Sequence, residues 1–391
     1  MRYRNVCLEA FGYTLPEEIV TSQQIEEQLA PLYERLRLAE GRLELMTGIR
    51  ERRFWPRDML PSTASVASAQ QALETAGIDR RQIGALVHAS VCRDHLEPAT
   101  ACRVHHRLEL PAECLVYDVS NACLGLLDGM LQVANMIELG QIRAGLIVGA
   151  ENGRPLVETT IEQLNADQSL TRERLKPALA SLTIGSGSAA VLLVDRELSR
   201  TGNRLLAAVA RADTQFHGLC QSGRDEAAAN RMSPLMQTES ETLMNEGVRA
   251  AGFCFEELLA EVGWTAPQID KTFCHQVGVA HRKLMLETLG LPLAADFATV
   301  EHLGNTGSVA LPLAAALGIE QGHLEKDDRV AMLGIGSGIN TLMLAVDWQR
   351  SLIAVDQAAA TAGSASADAV RSNCIPAVRR FQDGASVHGT R

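Results

Sequence analysis

Three things are scarce in this chain of 391 residues, and each scarcity closes off a class of protein. No CxxC pair occurs among its nine cysteines, which are scattered and odd in number. That argues against a disulfide framework and for reduced thiols in a reducing compartment. Positive charge is in deficit: 36 Lys and Arg against 47 Asp and Glu leave a formal net charge of −11. A broad nucleic-acid surface is not expected on such a chain. Long apolar runs are missing too, none approaching the ~20 residues that span a bilayer. Residues 1–16 include Arg2 and Arg4 without a sustained apolar core, so no signal peptide is read there. Together these features predict a soluble, cytoplasmic protein with no integral membrane segment and no nucleic-acid partner.

What is present is ordinary globular material, 46% hydrophobic and 21% charged. The length suits two or three domains, or one large duplicated α/β unit. Internal echoes favour duplication. Ala76-Gly77-Ile78-Asp79-Arg80-Arg81-Gln82-Ile83 aligns with Val262-Gly263-Trp264-Thr265-Ala266-Pro267-Gln268-Ile269, Gly, Gln and Ile coinciding. Each copy reads as a helix end, a glycine stop, a short turn and a strand. Arg143–Gly149 likewise echoes Arg329–Gly334, both strands ending in glycine. Two echoes in one order predict two related halves, 1–195 and 205–348. Apolar strands alternating with helices predict mixed or parallel sheets covered by helices. The small, low-complexity run Ala358–Ala367 predicts a disordered tail over 350–391. Residues 154–180 read as an exposed, polar helical insertion.

Cys123 is the most informative residue. Leu115-Val116-Tyr117-Asp118-Val119 reads as a buried strand and Ser120-Asn121-Ala122 as a tight turn. Cys123 then opens an apolar helix, with Leu124, Leu127, Met130, Leu131, Ala134 and Ile137 at helical spacing. A thiol at a helix N-terminus faces unpaired N–H groups and the positive end of the dipole, which predicts a stabilised thiolate. A lone cysteine in an apolar segment is otherwise most often a small buried hydrophobe, and what overturns that reading lies downstream. His275 ends the strand Lys271–Cys274, where an α/β sheet lines its ligand crevice. Asn305 lies between glycines in Leu303-Gly304-Asn305-Thr306-Gly307-Ser308, with Ser308 as the expected N-cap of the next helix. Gly334-Ile335-Gly336-Ser337-Gly338 precedes a strand rather than a phosphate-binding helix, so it reads as a donor of backbone N–H groups to an oxyanion. His88, His95, His105 and His106 show no ligand spacing, and no metal site is expected.

Taken in order, Ser120–Gly125, His275-Gln276-Val277, Gly304–Ser308 and the Gly334–Gly338 loop resemble the thiolase-like condensing enzymes, closest to the ketoacyl-ACP synthase III pattern. Thr47-Gly48-Ile49-Arg50-Glu51-Arg52-Arg53 resembles that group's early TGI-x-x-R segment. The resemblance spans about 5–348. It implies a duplicated αβαβα layered fold, mixed sheets sandwiching a buried helix layer. It implies Cys123 as the acylated nucleophile, His275 and Asn305 as donors to the second thioester, and the N–H groups of Cys123 and Ser337 as the oxyanion hole.

Leu96-Glu97-Pro98-Ala99-Thr100-Ala101 narrows the resemblance to the OleA-type enzymes of long-chain olefin biosynthesis. There the loop reaches the partner subunit's acyl pocket, so a homodimer is implied. Glu97 is then the base that removes an α-proton, which an acyl donor without a carboxyl group to lose requires. The activity implied is non-decarboxylative Claisen condensation of two long-chain acyl-CoAs. No cofactor is implied beyond these thioesters as substrates, and further pathway enzymes are possible partners. The alternatives are a ketoacyl-ACP synthase III of fatty-acid synthesis using malonyl-ACP, and a non-catalytic thiolase-fold partner subunit. Where the initiating synthases hold CoA, this chain has Arg42 and Met46. That leaves the CoA contacts unassigned; Arg50, Arg53 and Arg57 are candidates, with solvated charge the preferred reading.

Overall fold

The structure is a computed structural model and describes residues 1–224 and 233–353. Its strands are β1 Val6–Thr14, β2 Glu18–Thr21, β3 Glu51–Phe54, β4 Ile83–Ala89, β5 Leu115–Val119, β6 Ala144–Glu151, β7 Gly187–Asp195, β8 Arg204–Ala212, β9 Cys220–Arg224, β10 Ser233–Thr238, β11 Lys271–Cys274, β12 Arg329–Gly336 and β13 Asn340–Asp347. Nine of them hydrogen-bond in the order β11-β12-β13-β8-β1-β7-β6-β4-β5. β2 with β3, and β9 with β10, form separate hairpin-like pairs.

The order contains the same series twice. From β1, the neighbours β7 and β6 follow antiparallel, then β4 and β5 parallel. From β8, β13 and β12 follow antiparallel, then β11 parallel, and a parallel bridge joins Thr272 to Asp296. A pairing of Cys7 with Arg204 joins the two series along one edge.

Two helices fill the space between them. Ala310–Glu320 is apolar on every side and buried from Ala310 to Ile319, as a core helix must be. Gly125–Glu138 buries Leu126, Leu127, Met130, Val133 and Ile137. One side of it meets the first series, where Val87 and Ile147 lie against Gly129. Its other side meets the second, where Leu124 and Leu127 lie against Gly334 of β12. Phe273 of β11 similarly lies against Gly318, and Leu313 against Gly187 of β7. Outer helices complete the layers. Pro61–Ala76 packs Ala69, Leu73 and Ala76 against Cys7, Leu86, Leu146 and Leu192. Ser240–Val262 packs Ala251, Cys254 and Leu258 against Val209, Leu333 and Met343. This is the layered, duplicated α/β fold that the sequence resemblance implies.

Four local expectations need correction. The helix after the Cys123 turn begins at Gly125, not at Cys123. Ser308 is no N-cap: the helix follows a 3-10 turn at Gly307–Val309, and the Ser308 hydroxyl is spent elsewhere. Residues 154–180 are not an exposed insertion. The helix Arg154–Ala166 buries Val157, Ile161 and Leu164 in a cluster with Ile25, Leu29, Leu32 and Leu182. The tail does not leave the body at 350, because Asn203 holds the Arg350 backbone in both directions, at 2.8 and 2.9 Å. The remainder of the expected tail, 354–391, lies outside the described residues.

A Cβ on Gly334 would sit 2.5 Å from Leu127 Cδ1 and 2.7 Å from the Leu342 carbonyl oxygen. Gly334→Ala is therefore expected to cost about 1–3 kcal/mol of stability through overpacking. Urea unfolding checks this, and an unchanged midpoint would contradict the wedge described here.

Candidate active site

The turn before the central helix is held by side chains on both flanks. Ala122 takes a left-handed conformation, with φ of 43°. The Leu124 N–H closes on the Asn121 carbonyl at 2.9 Å. Asn121 Nδ2 donates to Asp128 in the first helical turn at 2.7 Å, and its Oδ1 accepts from Asn340 at 3.4 Å. The Gly334–Gly338 loop passes so close that a Cβ on Gly336 would lie 3.6 Å from the Cys123 nitrogen. The Cys123 turn and the glycine loop are thus backbone neighbours.

The Cys123 thiol is not a resting thiolate. Burial pushes its pKa up to about 12, with smaller contributions from Cys220 and Glu151. The expected thiolate stabilisation fails because desolvation of an anion outweighs a helix dipole, and the helix begins further along the chain.

His275 continues β11, its N–H bonded to the Leu333 carbonyl at 3.0 Å. The ring is 2% exposed, yet neither Nδ1 nor Nε2 has a hydrogen-bond partner. Burial, with His281 nearby, pushes its pKa down to about 3, so the ring is neutral. A neutral imidazole with free nitrogens offers one donor and one acceptor to whatever enters.

Asn305 is 8% exposed and pinned through its backbone, its N–H to the Thr183 carbonyl and its own carbonyl to the Gly185 N–H, both at 2.9 Å. Gly304 makes this possible: its φ is +66°, and a Cβ there would lie 2.6 Å from the Thr183 oxygen. Asn305 Oδ1 accepts from the Gly307 N–H at 3.0 Å, which leaves Nδ2 as the group available to a carbonyl. Three residues on from Asn305, the Ser308 Cβ lies 3.5 Å from where a Cβ on Gly125 would be, so this turn and the Cys123 turn abut.

Glu97 stands apart. It is exposed at the tip of the loop between β4 and the helix Thr100–Arg107, followed by a cis Glu97–Pro98 peptide. Among the described residues it makes no side-chain hydrogen bond or ion pair. Both ends of its loop are fastened. Asp94 accepts from the Ser62 N–H at 2.9 Å, and Asp118 accepts from the N–H groups of Thr100 and Ala101 at 2.7 and 2.8 Å. Val91 and Leu96, on the same loop, are large apolar residues left exposed.

Sequence reasoning passed over several charged groups. Glu151 ends β6 and is 4% exposed; the signal available was a carboxylate closing an apolar strand at the end where a crevice forms. Arg53 is not solvated: it is buried and donates to the Pro16 carbonyl at 2.9 Å. Arg52 is fully buried, donating to Ser22 Oγ and the Leu182 carbonyl, and burial lowers its pKa to about 10. Arg57 pairs with Glu158 at 2.9 Å. Among the described residues, no group of three or more His, Cys, Asp or Glu could hold a metal ion, and no helix is long and apolar enough to cross a membrane.

Because the Cys123 thiol is raised, its alkylation by iodoacetamide in the free enzyme should keep rising with pH beyond the usual cysteine range. A rate that levels off near pH 7 would contradict the burial account.

Residues 46–153 match the family described as thiolase, N-terminal domain, and residues 259–348 match the 3-oxoacyl-[acyl-carrier-protein (ACP)] synthase III C-terminal family. An acyl-CoA:acyl-CoA alkyltransferase of Shewanella oneidensis is 43% identical over 351 residues, 89% of this chain and 100% of that protein. Another, from Xanthomonas campestris, is 33% identical over 348 residues, again 89% of this chain and 100% of the relative. A solved structure of Xanthomonas campestris OleA, a cysteine-to-alanine variant, superposes with a TM-score of 0.83 at 33% identity, covering 89% of this chain and 98% of that one. A cysteine-to-serine variant of the same protein, with bound lauric acid and lauroyl-CoA, also gives 0.83 at 33% identity, covering 88% of this chain and 100% of that one. This chain belongs to the OleA-type acyl-CoA:acyl-CoA alkyltransferases, within the thiolase-like condensing enzymes.

Proposed function

We propose that this enzyme joins two long-chain acyl-CoA thioesters by a non-decarboxylative Claisen condensation, through an acyl group carried on Cys123. The observation that carries the reading is the set of groups brought together. A half-buried Cys123 thiol beside a glycine loop shares the site with a neutral, unpartnered His275 and an Asn305 whose Oδ1 is already taken by the Gly307 N–H. Family membership supports it, as does the lauroyl-CoA held by the Xanthomonas relative.

In the first half-reaction the Cys123 sulfur attacks the thioester carbonyl, and the C–S bond to CoA breaks. The thiol proton leaves with the CoA sulfur, so no net charge is created in the buried site. The N–H groups of Cys123 and Ser337 take the oxyanion. In the second half-reaction a second acyl-CoA binds with its carbonyl on His275 and Asn305. Glu97 removes its α-proton, and the enolate carbon attacks the acyl-Cys123 carbonyl. Cys123 departs and recovers the proton from Glu97. The product is a 2-alkyl-3-oxoacyl-CoA, and one CoA is released per condensation.

Glu97 is exposed within its own chain, so a base role requires a second subunit whose pocket receives it. The fastened loop ends and the exposed Val91 and Leu96 support a homodimer in which each chain supplies the other's base. A malonyl-ACP reaction would release CO₂ and need no such carboxylate.

Mass spectrometry of products from myristoyl-CoA alone tests the reading: a condensed 3-oxoacyl species is expected, and its absence beside turnover of malonyl-ACP would overturn it. Cys123→Ala should lose acylation and turnover while keeping its fold. Glu97→Gln should still load acyl groups on Cys123 but condense about 10²–10⁴-fold more slowly, the usual worth of a positioned base. Light scattering should give a dimer, and an active monomer would remove the subunit-crossing role of Glu97.

A further inference from the structure

No step of either half-reaction uses Gln276, yet it directly follows His275 and is 1% exposed. Its side-chain amide is engaged at both ends by a distant segment. Oε1 accepts from the Thr299 and Val300 N–H groups at 2.8 and 3.0 Å. Nε2 donates to the Phe297 carbonyl at 2.6 Å. A flipped amide would set its NH₂ against two donors, so the three partners admit one orientation. The segment it grips leads straight to Asn305. The Val300 carbonyl accepts from the Gly304 N–H at 3.0 Å, across the short helix Val300–Leu303. Cys274, on the other side of His275, is tied to the same segment, its N–H donating to Asp296 Oδ1 at 3.0 Å. Between the His275 N–H and the Gly278 carbonyl, no backbone group is hydrogen-bonded among the described residues. The Gln276 side chain is therefore what fastens the chain beyond the end of β11.

We propose that Gln276 is a positioning residue for the condensation step: its amide holds His275 in register with Asn305, so that both donate to the carbonyl of the second thioester. The proposal rests on the condensation reading. His275, Gln276 and Asn305 all belong to one chain and one site. Asn305 is pinned from another direction, through Thr183 and Gly185, so it is the reference against which His275 is set. Loading of Cys123 should depend little on the clamp, because the N–H groups of Cys123 and Ser337 take the oxyanion in that step and the clamp touches neither. Condensation should depend on it, because the enolate oxygen is shared between His275 and Asn305. A misplacement of about 1 Å at such a donor costs on the order of 10²-fold in rate. The loss belongs in the maximal rate, since negative charge on that oxygen develops only as the transition state forms.

The test uses the full-length enzyme and myristoyl-CoA, with acyl-Cys123 formation followed by intact-protein mass and condensation by product release. Gln276→Met keeps the length of the side chain and removes all three hydrogen bonds. It should load within about threefold of the wild-type rate and condense roughly 10²-fold more slowly. Its half-saturating acyl-CoA concentration should stay within about threefold of wild type, a split that a general loss of structure would not give. Gln276→Glu keeps Oε1 for the Thr299 and Val300 N–H groups, in bonds now strengthened by charge, and gives up only the donor to Phe297. It should recover most of the loss. If the methionine variant does not fold, Gln276→Asn, which withdraws the amide by one methylene, takes its place with the same expectations. Wild-type condensation by that variant would overturn the proposal, as would loading and condensation falling in parallel, or a loss confined to the half-saturating concentration. A glutamate variant as slow as the methionine variant would detach the effect from the clamp and overturn it too. A wild-type enzyme that forms no condensed product would remove the condensation reading itself, a result distinct from any pattern among the variants.

Discussion

The close approach of two half-sheets to a single helix governs this molecule. Gly125–Glu138 is gripped between β4 and β6 on one side and β12 on the other, with glycine on the helix at one contact and on the strand at the other. Side chains at Gly129 and Gly334 would push the layers apart. The three segments of the candidate site meet because the layers are thin here. The Cys123 turn enters this helix, the Gly334–Gly338 loop leaves β12, and His275 continues the strand beside β12.

The same closeness sets the electrostatics. Burial favours the neutral form of both groups, the Cys123 thiol pushed up and the His275 imidazole pushed down. A site of this kind keeps its thiol and its imidazole uncharged at rest. It lets charge develop only against donors already in place, where a low local dielectric makes each hydrogen bond stronger. Arg52, fully buried nearby, donates its terminal nitrogens to a hydroxyl and a carbonyl, and its Cβ lies 3.2 Å from where a Cβ on Gly304 would be. It stiffens the strand against which the Asn305 turn is built.

Much of this was legible in the residue order, for local reasons. The strand Lys271–Cys274 and the histidine closing it could be read because an apolar run ended at a polar group. The glycine loop could be rejected for phosphate because a strand follows it. Where the reading failed, the cause was tertiary. Helical periodicity carried the helix back through Leu124 to Cys123, while the left-handed Ala122 that ends the turn has no signature in composition. The thiolate expectation used a local dipole and missed the burial. The helix Arg154–Ala166 hid its apolar side, Val157, Ile161 and Leu164, among charges. Glu151 was invisible because Ser308, whose hydroxyl donates to it, lies 157 residues away in the chain.

Glu97 occupies the kind of position that the fold does not need. Its loop is fastened at Asp94 and at Thr100, and the tip between them contributes nothing to the core. Substitutions at such tips usually move stability by no more than about 0.5 kcal/mol. The proposed nucleophile and donors, and the layers that hold them, can therefore stay unchanged while the residue at 97 varies. With Glu97 in its proposed role, the choice between taking a proton and losing carbon dioxide is, in evolutionary terms, separable from the scaffold. One architecture can exchange carbanion chemistries at a single surface position without passing through an unfolded ancestor.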